Sequence, residues 1–167
     1  DPQNVYSGRK AFIVTRVGDT ALIAGLFLLL TQLGTLEIQP LLRAAEQTWA
    51  PDSTVAVVAA LLILGGAVGK SAQVPLQTWL PDAMAGPSPV SALIHAATMV
   101  TAGVYLIART TPLFELAGDA RLAVALVGIV TLLIAGFSAL VQRDLKRALA
   151  YSTISQIGYM ILALGVS

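Results

Sequence analysis

Lys70 is the residue whose position in the sequence points most directly to chemistry. Fifteen apolar or glycine residues (55–69) precede it without a break, and an apolar stretch containing Pro75 follows. A lysine at mid-bilayer costs about 2.5–3.5 kcal/mol on insertion scales, so it usually faces a protein interior or a wet cavity. An amine held there can alternate between cationic and neutral forms and so carry a proton. The alternative is that Lys70 ends a helix and snorkels to the membrane interface.

His95 is the only histidine of the chain and is the second candidate proton carrier. It follows Pro89, which the pattern predicts to open a helix, by six residues. Imidazole exchanges protons near neutral pH. In a continuous helix, Thr98 and Thr101 would share broadly one face with His95 and could order water. A lone histidine is more often a packing residue, but a nearby buried lysine favours a relay.

Arg16 and Asp19 are three residues apart inside another apolar stretch, so they are neighbours on a helix surface. They form either a self-neutralising pair at the membrane interface or a pair that faces Lys70 and tunes its proton affinity. The sequence leaves both interpretations open.

The last apolar stretch is unusually polar on part of its surface. Such a run predicts hydrogen bonds between helices or a hydrated face, and composition favours the first. Tyr151 and Ser155 are the secondary site candidates within it. The polar residues are Tyr151, Ser152, Thr153, Ser155, Gln156 and Tyr159.

Composition decides the class of protein that must position these residues. The 167 residues are 56% hydrophobic and 11% charged, with a mean hydropathy of +0.80. Soluble domains carry about 25% charged residues, so a polytopic membrane protein is indicated. The net charge of +1 argues against a nucleic-acid partner. The lack of cysteine excludes thiol catalysis, disulfides and cysteine-ligated clusters on this chain, and a single histidine excludes a multi-histidine metal site.

The hydrophobic pattern predicts an all-α membrane helix bundle with about five transmembrane segments. We expect one membrane domain, 1–167, that is an internal piece of a longer subunit. The second segment is too long for one span and contains Pro75, so we expect a helix broken near Gln73-Pro75. Gly65 and Gly69 predict a close helix contact on it. The spans are expected at approximately 11–33, 55–84 (broken), 89–108, 120–141 and 145–166.

Basic residues near the span ends predict the orientation. Five lie on the side that holds the start of the chain, and three on the other. The positive-inside rule places the first group in the cytoplasm and the loop 34–51 on the opposite side. The first group is Arg9, Lys10, Arg143, Lys146 and Arg147, and the second is Arg43, Arg109 and Arg121.

The central motif resembles a known family. Residues 65–109 read GGAVGKSAQVPLQTWLPDAMAGPSPVSALIHAATMVTAGVYLIAR, with flanks FIVTRVGD (12–19), LGTLEI (33–38) and RDLKRALAYSTISQIGYMILALG (143–165). This sequence resembles the antiporter-like membrane subunits of proton-pumping NADH:quinone oxidoreductase, respiratory complex I, and among them the L type. The resemblance covers nearly the whole chain. The large subunit of multi-component Na⁺/H⁺ antiporters is the nearest relative, and Gln77, Thr78 and Thr101 favour complex I over it.

The resemblance implies proton translocation in the membrane arm, driven by quinone reduction elsewhere in the complex. It implies that Lys70 lies on a discontinuous helix and His95 on the next helix as a proton relay. Asp19 and Arg16 would be the charged pair on the helix before. A partner glutamate upstream and a second relay lysine downstream are implied outside this sequence, so this piece would not pump alone.

The resemblance also implies cofactors, partners and location. No redox centre or cofactor is expected on this chain, because NADH, FMN, Fe–S clusters and quinone would bind other subunits. The expected partners are other membrane-arm subunits of complex I and the lipid bilayer. The expected location is the inner membrane of a bacterium, with several passes. The alternatives are a cation/proton antiporter subunit and a purely structural membrane scaffold.

Overall fold

The computed structural model describes residues 2–96 and 98–167, except for the side chains at 88, 90, 95 and 96. Every regular element in these residues is helical, as the sequence predicts. The elements are α1 (Pro2–Leu33), α2 (Ile38–Thr48), α3 (Thr54–Lys70), α4 (Trp79–Asp82), a 3₁₀ turn (Ala83–Ala85), α5 (Ser88–Ala96), α6 (Val100–Arg109), α7 (Thr111–Glu115), α8 (Gly118–Val141) and α9 (Leu145–Val166).

Helices α1 and α3 cross at unusually close range because glycines line the contact. A Cβ atom placed on Gly18 would lie 2.8 Å from the Cα of Gly69. A Cβ on Gly66 would lie 2.7 Å from the Cβ of Leu22, and one on Gly65 would lie 2.9 Å from that of Ala21. The Gly65–Gly69 spacing therefore marks a real helix contact, as the sequence indicates.

Helices α8 and α9 form a tight antiparallel pair that packs beside α3 and α6. Their contact also depends on residues without side chains, since a Cβ on Gly128 would lie 2.5 Å from the backbone nitrogen of Leu162. The Asp144 carboxylate accepts a hydrogen bond from the backbone N–H of Lys146 and so caps the start of α9.

Helix α3 ends at Lys70, and the chain then runs without regular structure until Trp79. The discontinuity predicted near Gln73-Pro75 is therefore present. Beyond it the chain forms only the single turn α4 and the 3₁₀ turn, and then α5 begins at Ser88. We refer to residues 71–78 as the break segment.

Two sequence-based interpretations of the connections are wrong. The expected loop 34–51 contains helix α2, an amphipathic helix that buries Leu41, Leu42 and Ala45. A search for runs of roughly 20 apolar residues misses a half-polar helix of this length. The expected continuous helix of the third segment is interrupted, because α5 ends at Ala96 and α6 begins at Val100.

Three described helices are long and apolar enough to cross a membrane by length and composition. The first begins at Pro2, nine residues before the expected start at 11, because residues 2–10 continue the helix although they are less apolar than the rest. The other two are α8 and α9, and α3 and α6 are shorter apolar helices. The count of five spans stays a prediction.

The basic residues of the first group cluster at one end of the bundle. Lys10 and Arg147 both form ion pairs with Asp82, and the amine of Lys146 lies 3.5 Å from the carbonyl oxygen of Gly86. We call this the Asp82 end. At the opposite end, the guanidinium of Arg121 donates a hydrogen bond to the carbonyl of Gly165.

Candidate functional site

Lys70 forms an ion pair with Asp19 at the point where α1 and α3 cross. The Lys70 Nζ atom lies 3.0 Å from Oδ1 and 3.3 Å from Oδ2 of Asp19. The pair is set by the glycine contact, because Gly18 and Gly69 immediately precede its two members. The side chain of Lys70 is 36% exposed and that of Asp19 is 17% exposed in this chain.

Arg16 lies next to Asp19 on α1 at the spacing that the sequence indicates. Its guanidinium is 3.6 Å from the carboxylate and 4.9 Å from the centre of the Phe12 ring. Because 61% of the Arg16 side chain is exposed, it is the outer member of the group. Asp19 is thus shared between Arg16 and Lys70, which is the geometry expected if the Arg16–Asp19 pair faces Lys70 and tunes its proton affinity. The role of the pair stays a prediction.

The helix end at Lys70 lies inside the protein. Ser71, Ala72 and Gln73, the three residues that follow it, are all fully buried. The 17-residue α3 rises about 25 Å from its start to Lys70, so it crosses most of a roughly 30 Å layer. Irregular backbone inside such a layer is tolerated where protein covers it. Burial of residues 71–73 favours an interior position of Lys70 over the snorkelling alternative.

The carbonyls just before the end of α3 are satisfied by the protein itself. A broken helix can offer free carbonyls to an ammonium or to water, but those of Ala67, Val68 and Gly69 each accept a hydrogen bond from a protein group. The backbone N–H of Ser71 donates to Ala67, that of Gln73 donates to Val68, and the Trp79 indole donates to Gly69. The amine of Lys70 is paired with a carboxylate.

Sequence reasoning missed two residues that hold the break segment. The buried Trp79 places its indole Nε1 3.2 Å from the carbonyl of Gly69 and so ties α4 to the end of α3. The hydroxyl of Thr131 on α8 accepts a hydrogen bond from the backbone N–H of Val74. The only sequence signal for either residue was a side chain able to form hydrogen bonds within a mainly apolar stretch.

A second helix interruption faces the first. The hydroxyl of Ser71 donates a 2.6 Å hydrogen bond to the carbonyl of Val100, which is the first residue of α6. A Cβ on Gly103 would collide with this hydroxyl, so α6 approaches α3 through a glycine. A hydrogen bond from Ser71, the residue after Lys70, therefore joins the end of α3 to the start of α6.

The interruption separates the residues predicted to form the histidine relay. His95 lies in the last turn of α5, and its side chain lies outside the described residues. Thr98 lies in the bend between α5 and α6, where its hydroxyl donates to Leu93, and Thr101 is in α6. The prediction that these three residues share one helical face is therefore wrong, because no continuous helix carries them.

The two candidates in α9 differ in their surroundings. The hydroxyl of Ser155 donates a 3.0 Å hydrogen bond to the carbonyl of Leu132 on α8, as expected for contacts between helices. Tyr151 is half-buried and lines a cavity of about 250 Å³, with both polar and apolar lining residues, between α8, α9 and the break segment. We call this the inner cavity.

Lys70 lines a different opening, an apolar groove of about 400 Å³ between α1, α2, α3 and α6. Leucines from α1 and α2 form much of its lining, and its charged residues are Lys70 and Arg109. No described group of three His, Asp or Glu residues is arranged to hold a metal ion. The arrangement therefore places a carboxylate-paired amine at the edge of an apolar groove.

Comparison with known proteins gives a consistent result. Residues 1–167 match a family model described as "NADH:quinone oxidoreductase/Mrp antiporter, TM". The chain is similar to NADH-quinone oxidoreductase subunit L of Escherichia coli K12, with 62% identity over 99% of this chain and 27% of that protein. It is 68% identical to the subunit of the same name from Pseudomonas aeruginosa, over 98% of this chain and 26% of that protein.

Solved structures share the fold. A chain in the structure of the Mrp complex from Dietzia sp. DQ12-45-1b matches with a TM-score of 0.93 and 36% identity, over 99% of this chain and 18% of that one. The chain spans about a quarter of the length of the two subunit L relatives it matches.

Proposed function

Because the chain belongs to the NADH:quinone oxidoreductase/Mrp antiporter transmembrane family, we propose that it is the part of an L-type subunit of complex I that moves protons through Lys70. The observation that carries the proposal is the ion pair between Lys70 and Asp19 at a buried helix break. An amine that a carboxylate holds beside such a break can lose and regain a proton when the pair loosens.

The sequence similarity favours complex I over the antiporter alternative. Identity to the two subunit L sequences is well above identity to the chain in the Mrp complex. We propose that the Asp82 end faces the cytoplasm of a bacterium and that the spans lie in its inner membrane. Other membrane-arm subunits would be the partners, and redox cofactors would bind elsewhere in the complex.

We assign roles to the three charged residues from the distances between their charged groups. Lys70 is the switchable carrier, Asp19 stabilises its cationic form, and Arg16 competes for the same carboxylate. We propose His95 as the next proton acceptor, since α5 ends beside the interruption that Ser71 contacts. Thr98 lies in that interruption and Thr101 in the first turn of α6, where both would order water, and Tyr151 and Ser155 would serve as secondary groups along α9.

The test compares proton translocation with NADH oxidation in membrane vesicles that contain the complete complex. Lys70→Ala should reduce the translocation-to-oxidation ratio severalfold, because the carrier is removed. The matched control is Lys146→Ala, which removes an amine from the first turn of α9 and should keep a near-normal ratio. Near-normal translocation by Lys70→Ala would contradict the proposal.

One observation favours a second candidate, since the backbone matches a chain of an Mrp antiporter complex closely. In that case the complete complex would exchange Na⁺ for protons without any quinone-linked activity. Measuring Na⁺-dependent transport in the same vesicles, with and without NADH and quinone, separates the two functions.

A further inference from the structure

The Asp82 end contains two cavities that share one wall. The outer cavity has a volume of about 330 Å³ and lies between the start of α1 and the turn before α9. The inner cavity, of about 250 Å³, extends from there to Val74 in the break segment. Both cavities are lined by Pro81, Asp82 and Arg147, so these residues stand between them.

The shared wall is held by ion pairs of unequal length. The amine of Lys10 lies 2.6 Å from Oδ2 of Asp82, whereas the guanidinium of Arg147 lies 3.7 Å from Oδ1. Lys10 therefore holds the carboxylate in place from α1, and Arg147 closes over it from α9. The Arg147 side chain is 45% exposed, and a long, partly exposed ion pair opens at little cost.

The inner cavity contains groups that require water. Among the described residues no donor reaches the buried Oε1 atom of Gln77, which is one of the lining residues. A buried carbonyl oxygen left without a donor is costly, and the space exceeds the roughly 30 Å³ that one water occupies. The hydroxyl of Tyr151 also lines the cavity and can hold a further water molecule.

We propose that the Arg147–Asp82 pair is a gate that admits water and hydrated protons from the Asp82 end into the inner cavity. The cavity ends at Val74, while Lys70 lines the groove on the other side. The break segment is thus the partition between the gated cavity and the carrier. That the gate serves protons rests on the proposed function. That the gate opens and closes is tested separately, by the rate at which a reagent modifies a thiol in the inner cavity.

The test uses a thiol introduced into the inner cavity of the complete complex. The chain has no cysteine, so Ser138→Cys places one reporter there. A membrane-impermeant cationic methanethiosulfonate reagent is applied from the Asp82 end, and the modification rate is measured by mass spectrometry. Adding Arg147→Gln should raise the rate about fivefold, the effect of losing one weak ion pair on an open–closed equilibrium. Arg147→Lys should keep the slow rate.

The matched control is Phe137→Cys, one residue earlier on the exposed outer surface of α8. Its modification rate should not respond to Arg147→Gln. If Arg147→Gln prevents assembly, Asp82→Asn removes the pairs with both Arg147 and Lys10 through an isosteric side chain and should accelerate modification at least as much. An unchanged Ser138→Cys rate, or equal acceleration at both positions, would overturn the gate. Normal pumping by Lys70→Ala would instead overturn the proposed function and leave the labelling result intact.

Discussion

Gly18 and Gly69 touch where α1 and α3 cross, and their contact places the next residue of each helix, Asp19 and Lys70, within ion-pair distance. A Cβ atom on Gly18 would lie 2.8 Å from the Cα of Gly69 and 3.2 Å from the carbonyl oxygen of Gly65. These neighbours are backbone atoms, which cannot rotate away. The close crossing is therefore a condition for the charged pair.

Gly18→Ala should destabilise the subunit by about 1–3 kcal/mol, the usual cost of overpacking. It should also lower the translocation-to-oxidation ratio, because separating the helices lengthens the Asp19–Lys70 distance. The control is Gly8→Ala on the same helix, where a Cβ meets nothing within 4 Å. Thermal unfolding of the purified complex measures the first effect. Equal unfolding midpoints for the two variants would contradict the prediction.

Asp19→Asn should impair proton translocation more than Arg16→Gln. The carboxylate of Asp19 is 3.0 Å from the Lys70 amine, whereas Arg16 is largely exposed and makes only the longer, 3.6 Å contact. Loss of about 1 kcal/mol from the lysine pair changes its paired population about fivefold. We therefore expect a severalfold loss of pumping for Asp19→Asn and a small change for Arg16→Gln. A larger effect from Arg16→Gln would reverse the assignment of the two roles.

The first helix break was predictable because its cause is local. A stretch too long for one span that also contains Pro75 cannot remain one helix. The glycine spacing on α3 likewise predicted a close contact, although its partner glycine on α1 was not predictable. The pairing of Asp19 with Lys70 was only one of two readings, because helix spacing fixes neighbours within a helix and not between helices.

The second interruption had no local cause that the sequence displays. No proline or glycine lies between Ala96 and Val100. Two tertiary features accompany it, the hydrogen bond from Ser71 to Val100 and the approach of Gly103 to α3. Long-range hydrogen bonds of this kind, like those of Trp79 and Thr131, produce no periodic pattern in the sequence from which they could be predicted.

Ser71→Ala should destabilise the subunit by about 1–3 kcal/mol, because it removes the donor to the Val100 carbonyl at a fully buried position. Ser7→Ala is the matched control. Ser7 is also buried, but its hydroxyl donates to Gln3 within its own helix, where alanine is well tolerated. The comparison is made by thermal unfolding of the complete complex. If both alanine variants unfold at the parental temperature, the two helix ends are not coupled through Ser71.

Trp79→Phe tests whether the carbonyl at the end of α3 must be capped by the indole. Phenylalanine keeps an aromatic ring in the buried position but cannot donate to the Gly69 carbonyl, which lies 3.2 Å from Nε1. Because Gly69 is both the contact residue for Gly18 and the neighbour of Lys70, we expect losses in stability and in pumping, the first of about 1–3 kcal/mol. Trp49→Phe, at another buried tryptophan far from the break segment, should cost less and leave the translocation-to-oxidation ratio unchanged. A Trp79→Phe complex that pumps normally while unfolding at a lower temperature would restrict the indole to a structural role and separate it from the positioning of Lys70.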